Sequence, residues 1–322
     1  MKRALICGIS GQDGAYLARF LLDKGYEVFG TSRNVQSTSL DRLNRLGIRN
    51  RVQLVSATLT DFRSILRALA DVRPVEVYNL SGQSSVGLSF DQPVETIESI
   101  TVSTINLIEA IRFLDKTIKL YNAGSSECFG DTECVAASER TLFQPRSPYG
   151  VAKSAAHWII RNYREAYDMF ACTGILFNHE SPLRPRQFVT QKIIHGACAV
   201  KSGELDKLRL GNLDITRDWG WAPEYVDAMW RMLQTETPDD FVVATGAAHS
   251  LSEFVACAFE AVGLDWHDHV LVDAGSFRPL DIRYNCGDAS KAAAELGWRA
   301  TLTMSDIVAE MIVARLEPAR SL

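Results

Sequence analysis

From residue 4 to about residue 177, short apolar and β-branched runs alternate with longer stretches whose apolar positions recur every three or four residues. The runs predict strands over residues 4–7, 27–30, 53–55, 75–80, 118–122 and 172–177. Between them the spacing predicts helices at 15–24, where Leu17, Phe20 and Leu21 share a face, and at 94–113 and 150–167. Such alternation is the signature of βαβ units. It predicts an α/β fold, a Rossmann-type doubly wound parallel sheet with helices on both faces. Beyond Phe177 the pattern turns irregular, with loops around 182–186 and 210–221, a helix at 223–233 and further short elements. This predicts a smaller C-terminal substrate-binding domain, placed to close over a ligand in the crevice at the strand ends.

Composition narrows the class. A chain of 322 residues with 47% apolar and 23% charged residues can bury a sizeable core. A net charge of −5 argues against nucleic-acid or membrane-surface partners. The seven cysteines, Cys7, Cys128, Cys134, Cys172, Cys198, Cys257 and Cys286, form no CxxC, so neither a disulfide framework nor a zinc site is expected and a reducing cytoplasm fits. Gly8 and Gly11 interrupt the N-terminal apolar run too early for a signal peptide, and no run approaches the roughly 18 residues of a membrane helix. Trp266-His267-Asp268-His269 lacks metal-ligand spacing and reads as a solvated loop, so no metal is expected. The helix carrying Tyr225, Met229, Trp230 and Leu233 reads as core packing.

Directly after the first strand, Gly8, Gly11 and Gly14 have the spacing GxxGxxG and lead into a helix. Glycine there permits a tight turn and brings backbone close to a pyrophosphate, whose charge then sits at the helix N-terminus. The plainer alternative is an ordinary glycine turn. At the end of the second strand an NAD-selective site would place an acid; the segment reads GTSRN and offers Arg33 instead, which favours the 2′-phosphate of NADP, the plainer alternative being a solvated surface charge.

In RSPYGVAK, Tyr149 and Lys153 stand four residues apart and so share a helix face. A neighbouring ammonium is expected to lower the phenol and let Tyr149 act as general base on a substrate hydroxyl while hydride leaves its carbon. The fifth strand runs into NAGSSECFG, which places Ser125 to Glu127 at the C-terminal sheet edge. Ser125 can hydrogen-bond the reacting oxygen. Glu127 is a carboxylate that simple hydride transfer does not need, and its natural use is to remove a carbon-bound proton beside a ketone. The alternative is a capping or salt-bridging residue.

These residues resemble the extended short-chain dehydrogenase/reductases, and within them most closely the GDP-mannose 4,6-dehydratases. The likeness covers nearly the whole chain, through GISGQDGAYL, SSECFG, PRSPYGVAK, ILFNHESPLR, LRLGNLDITRDWGWAPEYVDAMW, FRP and GDASKAAAELGW. The resemblance implies a cycle in which Tyr149 deprotonates the C4 hydroxyl as hydride passes to NADP, Glu127 removes the C5 proton, and the C6 hydroxyl leaves as water. Hydride then returns to C6 with no net redox change. Ser126-Glu127, in place of the Asp-Glu of dehydratases acting on dTDP-glucose, points to a GDP-linked sugar. The same matching implies cofactor contacts from Gly8, Ser10, Gly11, Gln12, Asp13, Gly14, Arg33, Leu59, Leu80, Gln83, Lys153, His179 and Arg184. It implies substrate contacts from Ser84, Ser126, Asn178, Lys192, Arg217, Arg278 and Asp281, arginine's fork suiting phosphate oxygens. It divides the chain into an NADP-binding domain at 1–177, to which about 216–246 returns, and a nucleotide-sugar-binding domain at 178–322. The loop 33–47 resembles the segment through which relatives form tetramers, which implies a homo-oligomer, tetramer or dimer.

Some positions depart from the family pattern. Ser125 replaces the usual threonine, Thr58 stands where an Asp commonly meets adenine, and Asn34 where a second arginine often follows Arg33. Pro185-Arg186 replaces a glycine-led turn, and Asp281 is one methylene shorter than the family's glutamate. These differences cluster around binding and would suit a modified sugar such as a GDP-heptose. A 4-keto-sugar reductase or 4-epimerase would need Tyr149 and Lys153 without Glu127. An NADP-responsive binding protein would need none of the reacting set.

Overall fold

A computed structural model describes residues 1–273, 275 and 279–317. Thirteen strands are described: β1 (Arg3–Cys7), β2 (Glu27–Ser32), β3 (Gln53–Ser56), β4 (Glu76–Asn79), β5 (Lys119–Ala123), β6 (Ala171–Leu176), β7 (Asn178–Glu180), β8 (Leu208–Leu210), β9 (Thr216–Trp221), β10 (Phe241–Val243), β11 (Ala248–Ser250), β12 (Val270–Val272) and β13 (Tyr284–Asn285). Seven form a parallel sheet in the order β10-β6-β5-β4-β1-β2-β3. The six strands expected from the sequence are all in it, shifted by at most a few residues. The chain reverses direction of growth between β1 and β4, the switch point that opens a crevice at the carboxyl ends of a doubly wound sheet.

Helices cover both faces. Gln12–Asp23 buries Tyr16, Leu17 and Leu21 against Val226, Met229 and Leu233 from the helix Ala222–Met232 and its cap. On the other face, Phe62–Val72 and Ser103–Leu114 pack over Leu5, Val77 and Leu120. The helix expected at 94–113 is not one regular cylinder: Pro93–Ile97 and Ser103–Leu114 are joined by a π turn, Glu98–Val102. That turn carries the Ser99 hydroxyl to the backbone N–H of Gln83, which donates to it at 3.2 Å. A wide turn of this kind often re-aims groups beside a site.

The C-terminal half has its own core, in which Ile193, Ala197, Phe254, Phe259, Ile307 and Met311 are buried together. There β9 pairs with β7, β11 and β13, while β8 pairs with β12. Two pieces of this half lie on the large sheet instead: β10 beside β6, and the helix Ala222–Met232. Among the described residues all seven cysteines are free and no helix is long and apolar enough to cross a membrane.

Candidate active site

A cleft of about 360 Å³ opens at the carboxyl ends of β1, β4, β5 and β6, and residues of the C-terminal half close its other wall. Ser125, Glu127, Tyr149 and Lys153 all line it. Local sequence explains their placement. The Ser147 hydroxyl caps the helix Pro148–Tyr167 by accepting from Gly150 N, and Pro148 follows at its first position. Tyr149 and Lys153 therefore fall one turn apart on its buried face. Ser125 caps the short turn Ser126–Cys128, its hydroxyl accepting from Glu127 N at 3.3 Å, which fixes Glu127 at the rim.

The electrostatics differ from expectation at one point. Burial pushes the Tyr149 phenol well up; a hydrogen bond with Ser125 opposes this, while the charge of Glu127 adds to it. The Lys153 ammonium is held by the backbone of β5. Its Nζ donates to Ala123 O at 2.8 Å and lies 5.7 Å from the Tyr149 ring centroid. Burial also pulls the Lys153 ammonium down to about 8.

The first loop has the shape of a diphosphate cradle. Gly8 holds φ +90°, and a Cβ there would meet Leu80 O at 2.7 Å. A Cβ on Gly14 would meet Gly8 O at 2.3 Å, so Gly14 serves the close packing of helix on loop. Gly11 is the N-cap and no side chain caps the helix, leaving its first backbone N–H groups for a ligand. Arg33 is exposed immediately after β2, and Asn34 shapes the following turn by accepting from Gln36 N. The glycine cradle fits the diphosphate of a dinucleotide.

Other expected residues are placed unevenly. Asp13, Leu80, Gln83, Ser84, Asn178, His179, Arg184, Lys192, Arg217 and Asp281 line the cleft. Arg217 and Asp281 face each other at 3.6 Å, and Arg184 lies 3.4 Å from Glu180 with its guanidinium over the Phe188 ring. Ser10 lies in the loop, its carbonyl accepting from Arg42 Nη1 at 3.0 Å. The Gln12 side chain turns inward, donating to His179 O and accepting from Ser181 Oγ, so that its backbone alone faces the cradle. Ser126 is buried outside the cleft, its carbonyl accepting from Asn285 Nδ2. Leu59 packs against the core beside Phe62 and is not among the cleft residues. Arg278 lies outside the described residues. Sequence reasoning missed Glu180, Gln187, Thr190 and Asn212 in the lining. Glu180 falls within a quoted stretch, but its buried bond from Thr190 Oγ1 depends on the fold of the second half.

A glycine cradle on a doubly wound sheet, with serine at the end of the fifth strand and a Tyr-Lys pair on the next helix, defines an extended short-chain dehydrogenase/reductase. The profile described as GDP-mannose 4,6 dehydratase matches residues 5–311. The chain belongs to the GDP-mannose 4,6-dehydratase family. It is 46% identical to GDP-mannose 4,6 dehydratase 1 of Arabidopsis thaliana, covering 99% of this chain and 91% of that one. The corresponding enzyme of Homo sapiens is 42% identical over 99% and 92%, and that of Vibrio cholerae 42% over 99% and 95%. Solved structures share the fold: UDP-glucose 4-epimerase of Thermotoga maritima at TM-score 0.87 and 19% identity, over 99% and 100% of the chains. DesIV, a dTDP-glucose 4,6-dehydratase of Streptomyces venezuelae, matches at 0.86 and 18%, over 99% and 98%.

Proposed function

We propose that this chain dehydrates a GDP-hexose, GDP-mannose first, to the 4-keto-6-deoxy sugar with NADP as a recycled cofactor. The observation that carries this is the presence of Glu127 in one cleft with Ser125, Tyr149 and Lys153. A dehydrogenase needs the last three; elimination needs the carboxylate as well.

Bound in the glycine cradle, the dinucleotide would supply a hydride acceptor at the C4 step and the same hydride at C6. Tyr149 takes the C4 hydroxyl proton, with Ser125 holding that oxygen and Lys153 supplying positive charge nearby. Glu127 takes the C5 proton, made acidic by the new C4 ketone, and the C6 hydroxyl departs as water. The proton restored to C5 closes the cycle with loss of one water.

Arg33 is the group proposed for the 2′-phosphate, and Asn178, Lys192, Arg217 and Asp281 for the GDP moiety. On this reading residues 1–177 and about 216–246 form the cofactor domain and the remainder binds nucleotide sugar. We also propose a homo-oligomer; a light-scattering mass of one subunit would contradict it.

The test is mass spectrometry of GDP-sugars incubated with enzyme and no external reductant. GDP-mannose should lose one water, and Glu127→Gln should lower that rate by roughly 10²- to 10⁴-fold. Full activity in that variant would favour a reductase or epimerase. No product from GDP-mannose or a GDP-manno-heptose would overturn the dehydratase reading.

A further inference from the structure

The contact between the first helix and β7 constrains protonation. His179 is buried and stacked on Tyr225, ring centroids 4.6 Å apart. Its Nδ1 lies 2.7 Å from Phe177 O, and its Nε2 lies 3.0 Å from Asp13 Oδ2. A peptide carbonyl and an ionised carboxylate both accept and never donate. A neutral imidazole has one N–H, so it can satisfy one of them; the cation satisfies both. The remaining bonds are closed: Gln12 Nε2 donates to Asp13 Oδ1 at 2.9 Å and to His179 O at 3.2 Å.

The surroundings favour an ionised Asp13 over a shared or transferred proton. Asp13 lies in the first turn of the helix, where the dipole stabilises negative charge. Arg42 and Lys153, on the helices Asp41–Arg45 and Pro148–Tyr167, and the Tyr16 phenol are close enough to feel its charge. Around His179 stand Arg184, its partner Glu180 and the Tyr225 phenol, beyond which lie Asp218 and Glu224. Burial pulls the imidazole down, but the Asp13 charge and hydrogen bond overcome it and leave the ring raised. Burial likewise works against the Asp13 carboxylate, which the His179 charge holds at about 2.

We propose that His179 is a fixed imidazolium countercharge to Asp13 and thereby a positioning residue for the dinucleotide. It cancels the carboxylate that the first turn would otherwise present to an incoming diphosphate. The idea rests on the dinucleotide reading of the glycine loop. Deprotonation of His179 leaves Asp13 uncompensated in the cleft, so cofactor affinity falls as pH rises through the raised imidazole value.

Two measurements on the full chain test this. In ¹⁵N NMR of the imidazole nitrogens, both His179 nitrogens should carry protons at neutral pH; a neutral ring there would overturn the proposal. In calorimetry with NADP⁺, His179→Gln should weaken binding by about 10- to 100-fold, the span of one charge-assisted hydrogen bond. Asp13→Asn added to His179→Gln should recover most of that loss and flatten the pH dependence. A double variant no better than His179→Gln, in a wild type that binds, overturns this inference alone. A wild type that binds no dinucleotide overturns it together with the reading of the loop.

Discussion

Lys153 is charged at a cost, since burial brings its ammonium down to about 8. If the reaction needs that charge, kcat/KM for the sugar at saturating cofactor should fall along an alkaline limb near that value. Lys153→Arg, whose guanidinium stays charged, should move the limb upward; an unmoved limb would assign it to another group. Stability responds in the opposite sense. Between about 8 and the ordinary 10.5 the unfolded chain binds more protons at this site than the folded one, so this lysine's contribution to stability improves as pH rises through that window. Arg33 gives a second prediction: Arg33→Ala should weaken NADP⁺ binding roughly tenfold or more while leaving NAD⁺ binding nearly unchanged, as read from the two dissociation constants. The placement of Lys153 in the cleft was legible because its signal is local, a spacing on one helix. The inward turn of Gln12 was not, because its partners lie 167 and 169 residues away. The raised phenol of Tyr149 was hidden for a related reason: four-residue spacing places Lys153 on the same face but cannot say how deeply the fold buries the phenol.

At the scale of elements, the first strand, loop and helix form a unit whose tolerance is set by backbone contacts. Gly14→Ala would put a methyl 2.3 Å from Gly8 O and 2.8 Å from Ile9 Cα, neither of which is a yielding side-chain end. The helix must then move off the loop, at about 1–3 kcal/mol. A lowered denaturant midpoint together with weaker cofactor binding is expected, and an unchanged midpoint would show that the loop can shift freely. The strands of this half were legible because buried parallel strands are near-continuous apolar runs. The π turn at Glu98–Val102 was not, since a helix with one extra residue in a turn keeps nearly the same apolar periodicity. What it meets is distant from its own periodicity: the Gln83 backbone on the loop that follows β4. Short β10 was missed too: three apolar residues become a strand when β6 offers them an edge.

For the whole molecule, the large sheet and the C-terminal core are tied by a chain that crosses between them more than once. The segment that returns to the sheet supplies more than an edge strand. Asp240, just before β10, accepts from Thr173 N at 2.7 Å and from both Arg164 Nη atoms at 2.9 and 2.7 Å. Lys119 Nζ donates to Leu233 O at 2.7 Å, and Trp230 packs edge-on against Phe20. Cutting the chain after residue 177 would therefore strip Val226, Met229 and Leu233 from Leu17 and Leu21 and leave β6 an open edge over buried Asp240 partners. Each large apolar side chain lost from such a contact is worth about 1.5–3 kcal/mol, and a few of them equal the roughly 5–15 kcal/mol by which a domain is stable. Residues 1–177 expressed alone should consequently show no cooperative thermal transition by circular dichroism, whereas the full chain should. A fragment that unfolds sharply would mean that the sheet does not depend on the returning segment, and that the cofactor half is a self-sufficient domain.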